Sequence, residues 1–166
     1  MYTDFEEIAE YLDFHLPSRV DSQFSYVNFG GCGIIAYIIA NELEKIGLET
    51  EIAWLSTHCE GKSTLFEYLI KTNQQLTLLE LNNNGIYVSH CLVVTNGYYI
   101  DSTGVYESAI DAGWTGRTEL IRLKPKEFQS IAESDIGWNP AFDRSQIPAI
   151  ETEIVDIVRG TQYFYD

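Results

Sequence analysis

The dipeptide Asn96-Gly97 lies between two runs rich in β-branched and aromatic residues, 86–95 and 98–103. A two-residue Asn-Gly loop favours a type I′ turn, whose twist matches that of antiparallel strands. The stretch therefore predicts a β-hairpin, and a hairpin fixes register. Thr95 faces Tyr98, Val94 faces Tyr99, Leu92 faces Asp101 and His90 faces Thr103. Side chains alternate with a period of two, so His90, Leu92 and Asp101 share one face. His90 and Asp101 are then diagonal neighbours, roughly 7–8 Å apart at the backbone and bridgeable by their side chains.

Around the hairpin, helical and extended patterns alternate. Thr3-Asp4-Phe5-Glu6 has the form of a capping box, so a first helix is expected over 4–14, ending before Pro17. Residues 18–29 read as loop, with Phe24, Tyr26 and Phe29 as candidate walls of a cleft. Residues 51–55 read as strand, 56–62 as loop and 63–71 as helix. Residues 76–81 fit either a strand or a helix, and Asn82-Asn83-Asn84-Gly85 reads as a turn. Residues 105–117 are glycine-rich and irregular, 119–123 extended, and 125–132 fit a short helix. A closing helix is expected over 147–158, with Pro148 in its first turn and Ile150, Ile154, Ile157 and Val158 on one face. This order predicts an α+β fold with helices packed on an antiparallel sheet, in one domain over 1–166.

Asn28-Phe29-Gly30-Gly31-Cys32-Gly33 precedes the most apolar helical pattern, which stops at Gly47. Cys32 is thus expected at a helix N-terminus, where unpaired N–H groups and the helix dipole favour a thiolate. A cysteine nucleophile also needs a base, and the base needs an orienting partner. His90 and Asp101 supply both on one strand face. Taken together, Cys32 as nucleophile, His90 as general base and acid, and Asp101 as orienter form a candidate triad.

The order of these parts resembles that of the transglutaminase-like and papain-like cysteine enzymes. Gly31-Cys32 with its helix, then His90-Cys91-Leu92-Val93-Val94, then Tyr99-Ile100-Asp101-Ser102-Thr103, carry the resemblance over about half the chain. It implies an α+β core with the nucleophile helix packed on an antiparallel sheet, and acyl transfer through a thioester. Two features depart from the pattern. Gly33 follows the cysteine where many relatives have a larger residue. The papain-like glutamine shortly before the cysteine is missing, which leaves Asn28, four residues before it, and Gln23, nine before it, as oxyanion candidates. Tyr26 and Trp114 are the cleft candidates; Trp114, flanked by Gly113 and Gly116, suits a covering loop or a core position equally.

Composition narrows the partners. The net charge is −15, so nucleic-acid phosphate and anionic membranes are repelled. The closest basic group, Arg117, Arg122, Lys124 and Lys126, is too small for a nucleic-acid groove. Asn41 and Glu42 interrupt the longest apolar run, and no membrane span is expected. An acidic N-terminus without a basic region and an odd three cysteines point to a cytoplasmic, reducing home.

Gly61-Lys62-Ser63 has the end of a phosphate-binding loop, but Ser56 stands where its first glycine belongs. His58-Cys59 and His90-Cys91 are adjacent pairs, not the spaced ligands of a zinc site. No metal or cofactor is expected. The substrate expected is a peptide, protein or small amide, with peptidase, amidase, deamidase and transferase all open. The rival reading is a non-catalytic acidic interaction protein on the same fold, binding a basic partner or imitating nucleic acid.

Overall fold

Asn96 and Gly97 both take positive φ, +48° and +80°, the pair that a type I′ turn requires. The structure is a computed structural model that describes residues 5–27, 31–56, 61–72, 76–113, 118–127 and 142–164. Its sheet has five strands: β1 (Glu51–Ser56), β2 (Val88–Thr95), β3 (Tyr98–Asp101), β4 (Gly104–Tyr106) and β5 (Thr118–Leu123). They lie in the order β4-β3-β2-β1-β5 and every pairing is antiparallel. The hairpin register is as expected at Thr95↔Tyr98 and Val94↔Tyr99, and the described ladder runs on to Val93↔Ile100.

Two differences in the strands shape the site. β3 stops at Asp101, two residues short of the expected end, because Asp101 folds into a turn and pairs with Gly104 of β4. β2 carries a β-bulge: Leu55 pairs with His90, but Ser56 pairs with Val88, so Ser89 is the extra residue. A bulge twists the strand and re-aims the side chain beside it.

The helices are α1 (Phe5–Leu16), α2 (Cys32–Lys45), α3 (Ser63–Thr72), α4 (Leu78–Asn83) and α5 (Ile147–Gly160). α1 ends just before Pro17, two residues past the expected Phe14, but the chain does not become a loop there. It runs into a π-helical turn, Pro17–Asp21, in which the Ser22 N–H reaches back to the Pro17 carbonyl at 2.9 Å. Proline has no N–H to give, and widening the helix there lets the chain keep turning where a loop was expected. Thr3 and Asp4 of the expected capping box lie outside the described residues. A complete capping box does form at Thr77 and Glu80, and it resolves the ambiguous 76–81 segment as the start of α4. A further helix starts at Pro125, and its expected continuation lies outside the described residues.

α2 packs against β2 and α5. Its buried face is Ile35, Ala36, Ile38, Ile39 and Leu43. It ends in a Schellman motif: Leu48 N–H bonds the Leu43 carbonyl and Gly47 N–H the Glu44 carbonyl, with Gly47 at φ +93°. α5 buries Ile150, Ile154, Ile157 and Val158 against α1 and α2, about 1.5–3 kcal/mol for each such side chain. Trp54 of β1 is fully buried against Phe66 of α3, ring centroids 5.1 Å apart. Among the described residues no helix is long and apolar enough to cross a membrane.

Candidate active site

Cys32 is the first residue of α2, with Gly31 as the N-cap. The first intrahelical bond is from Ile35 N–H to the Gly31 carbonyl. The N–H groups of the first turn therefore point forward, at the positive end of the helix dipole. The turn that delivers Cys32 is held from two sides. Gly31 N–H donates to the Tyr26 carbonyl at 3.2 Å, and Tyr26 itself sits at φ +58°, uncommon for an aromatic residue. Gln146, just before α5, clasps Ser25: its Oε1 accepts the Ser25 N–H at 2.9 Å and its Nε2 donates to the Ser25 carbonyl at 3.2 Å.

His90 and Asp101 meet as the diagonal register requires. His90 Nε2 and Asp101 Oδ2 are 2.9 Å apart, and the two residues are 0% and 4% exposed. The other carboxylate oxygen, Oδ1, accepts the Thr103 N–H at 2.7 Å and the Thr103 hydroxyl at 2.5 Å. This Asx-type turn aims the carboxylate at the imidazole. The Thr103 hydroxyl lies 2.8 Å from the Tyr106 hydroxyl, and Ser102 Oγ donates to Asp21 of the π-helical turn at 2.9 Å. The turn carrying Asp101 is thus pinned to β4 and to the segment after α1.

Cys32 completes the line. It lies close enough to His90 for each to shift the other's protonation, and Asp101 holds the Nε2 side of the ring. A second thiol is also present. Cys91 lies beside Cys32, and each thiol shifts the other's protonation. Next to a two-residue loop, Thr95, Val93 and Cys91 aim their N–H groups at the partner strand. β3 has turned away by then, and the described β2–β3 ladder stops at Val93↔Ile100.

These contacts set the protonation states. The hydrogen bond from Cys91 draws the Cys32 thiol well below the ordinary value of 9.0, against the opposing effect of burial; the hydrogen bond and charge of His90 add to the lowering. Burial works against a charged His90, but hydrogen bonds and charges from Asp101 and Cys32 outweigh it and raise the ring to about 9. Burial, then the hydrogen bond and charge of Cys32, push Cys91 well above the ordinary thiol value. These directions favour a Cys32 thiolate beside a protonated His90 and a neutral Cys91 thiol. The arrangement provides a buried nucleophile, 7% exposed, with a proton donor alongside.

The other expected site residues are placed differently. Gln23 is exposed and donates to the Ser18 carbonyl at 3.4 Å, in a groove of about 300 Å³ with Ser18, Arg19, Phe24 and Glu153. That groove is not lined by the thiol. Tyr26 contributes its carbonyl to the cysteine turn, and its side chain is 58% exposed. Asn28 and Trp114 lie outside the described residues, as do His58 and Cys59. Cys91 and Gln146 were missed. The signal for Cys91 was the early Asp101 turn, which removes the strand partner of its N–H; Gln146 gives no local signal.

Comparison with protein-family models, with curated proteins and with solved structures finds no match to this chain.

Proposed function

We propose that this protein is a cysteine-dependent acyl-transfer enzyme of transglutaminase-like or papain-like type. The observation that carries the reading is a buried Cys32 at a helix N-terminus whose protonation is coupled to the buried, hydrogen-bonded His90–Asp101 pair. The Cys32 thiolate attacks the carbonyl carbon of an amide or ester. The N–H groups of the first turn of α2 are oriented to stabilise the oxyanion that forms. His90 Nδ1 gives its proton to the leaving amine or alcohol, and a thioester remains on Cys32. The neutral imidazole then takes a proton from water or an amine as that nucleophile attacks the thioester. Asp101 holds the ring in one orientation and balances its charge throughout. Hydrolysis and transfer differ only in the second nucleophile.

Incubation with a p-nitrophenyl ester tests this. A burst of nitrophenol, a hydroxylamine-sensitive acyl group mapped to Cys32, and turnover by water or an added amine are expected. An adduct spread over all three cysteines, or undiminished turnover by Cys32→Ala, would refute the reading.

A second reading draws on charge. Glu6, Glu10 and Asp13 of α1, with Glu107 after β4, line a groove of about 310 Å³ in a chain of net charge −15. That surface suits a basic protein or peptide, as a substrate or as the partner of a non-catalytic binder. Unchanged affinity for a basic peptide on reversing these charges would dismiss it.

A further inference from the structure

Two donors besides His90 reach the Asp101 carboxylate. Oδ2 faces His90 Nε2 at 2.9 Å, while Oδ1 takes the Thr103 N–H at 2.7 Å and the Thr103 hydroxyl at 2.5 Å. The Thr103 hydroxyl in turn lies 2.8 Å from the hydroxyl of the part-buried Tyr106. We propose that Tyr106 and Thr103 are positioning residues of the candidate site: a one-way hydroxyl relay, Tyr106 Oη–H to Thr103 Oγ1–H to Asp101 Oδ1, that draws charge off the carboxylate and so limits its hold on the His90 proton.

Proton counting gives the relay its direction. An ionised carboxylate only accepts, so at 2.5 Å the Thr103 hydroxyl donates its single proton to Asp101. Towards Tyr106 the Thr103 oxygen can then only accept, and the phenol must be the donor. The Tyr106 hydroxyl also lies 3.2 Å from the Thr103 carbonyl, a longer contact that shares the same proton. Hydrogen bonds running in one direction polarise one another, by roughly 10–30% per bond. The backbone makes this possible. Asp101 pairs with Gly104 and Tyr99 with Tyr106, so Tyr106 stands on the Asp101 face of the sheet. Gly104, at φ +143°, turns the chain back between them, where a Cβ would meet the Asp13 carboxylate.

A general acid must release its proton as well as hold it. Negative charge on Asp101 favours the imidazolium, and each donor on Oδ1 takes up part of that charge. A donor stabilises the carboxylate most when His90 is neutral, because the charge then has no counterion. Taking a donor away therefore raises the pH at which His90 loses its proton. The titratable groups acting on the ring are Asp101 of β3 and Cys32 of α2. Two further carboxylates stand on the same turn: Asp21 accepts the Ser102 hydroxyl at 2.9 Å and Asp13 the Val105 N–H at 2.8 Å. None of the four is altered by the variants below, and the Thr103 N–H stays to hold the carboxylate in place. The relay acts on the His90–Asp101 pair whatever the reaction; that it eases proton release to a leaving group rests on the function proposed above.

The test titrates the ¹³C-labelled His90 ring by NMR in the full chain. Starting from about 9, Thr103→Val should raise the midpoint by about 0.5–1 unit, roughly three- to tenfold in proton affinity. Tyr106→Phe removes only the phenol oxygen, leaves the Thr103 bonds intact, and should raise the midpoint by about 0.2 unit. Thr103→Ser keeps the hydroxyl and should restore the midpoint of the natural protein. A residue that only braces the turn would change the urea midpoint without raising that of His90. An unmoved or lowered His90 midpoint in Tyr106→Phe, or in Thr103→Val where that variant folds, overturns the inference, as does a shift in Thr103→Ser as large as in Thr103→Val. Ester turnover is followed in parallel. A raised midpoint in a protein that never turns over an ester leaves the relay standing and removes the acyl-transfer reading. Turnover by Cys32 with the His90 midpoint unmoved in the variants overturns the relay and leaves the acyl-transfer reading standing.

Discussion

Replacing Asp101 with Asn keeps the side chain's shape and removes one of its two acceptors. Asp101 Oδ2 faces His90 Nε2 at 2.9 Å while Oδ1 takes two donors from Thr103 at 2.7 and 2.5 Å. If the amide oxygen faces His90, the NH₂ group meets the Thr103 N–H, donor against donor, in a turn whose aspartate is 4% exposed. An unpaired buried donor costs about 1–3 kcal/mol. A hydrogen bond to a charged group exceeds a neutral one by about 1 kcal/mol, or somewhat under one pH unit at 1.36 kcal/mol per unit. D101N should therefore lower stability by about 2–4 kcal/mol and move the His90 midpoint down from about 9 by about one unit. The flipped amide would satisfy Thr103 and turn a donor on His90, leaving Nδ1 protonated against a neutral thiol. Urea unfolding gives the first quantity, and the ¹³C-labelled His90 ring titrated by NMR gives the second. A variant with an unchanged unfolding midpoint and His90 still titrating near 9 would refute the reasoning.

The thiolate–imidazolium pair exists from the depressed Cys32 pKa up to about 9. Ester turnover should rise with pH through the first, hold level, and fall as His90 deprotonates near 9; iodoacetamide alkylation of Cys32 with a midpoint at or above the ordinary 9.0 would contradict it. In Gly31→Ala the new Cβ would lie 2.8 Å from two ring carbons of the buried Phe142 and 3.0 Å from the Val27 carbonyl. A destabilisation of about 1–3 kcal/mol and slower Cys32 alkylation are expected, read by denaturant midpoint and mass mapping. Gln146→Ala removes both bonds to Ser25 and should cost about 1–2 kcal/mol, with the Cys32 alkylation midpoint moved towards the ordinary value. Ile154→Ala, a core truncation away from the site, should cost about 2–5 kcal/mol by the same denaturant assay and leave the alkylation midpoint unchanged.

The parts of the fold legible in the sequence are those whose cause is local. Asn96-Gly97 carries its own turn geometry, and the period of two then places His90 and Asp101 on one face. Gly47 ends α2 because it alone accepts the left-handed turn cheaply, and Pro148 marks the start of α5. The Thr77–Glu80 capping box was equally local and should have settled α4. What stayed hidden depends on distant partners. The three-residue β4 exists only as the edge that pairs with β3, and its sequence has too little length to announce a strand. The bulge at Ser89 depends on how β1 and β2 align, and period-two reasoning has no means of inserting a residue.

The clasp of Gln146 on Ser25 joins residues 121 positions apart. It also imposes an order in time. At about 5–20 residues per second, a ribosome that has just made the cysteine turn needs on the order of ten seconds to reach its clasp. Until then the cysteine turn lacks the two bonds from Gln146, and α1 and α2 lack the packing of α5. Full support of the cysteine turn thus waits on residues made long after it. A chain released before position 142 would carry the nucleophile, the base and the carboxylate and still fail to assemble them.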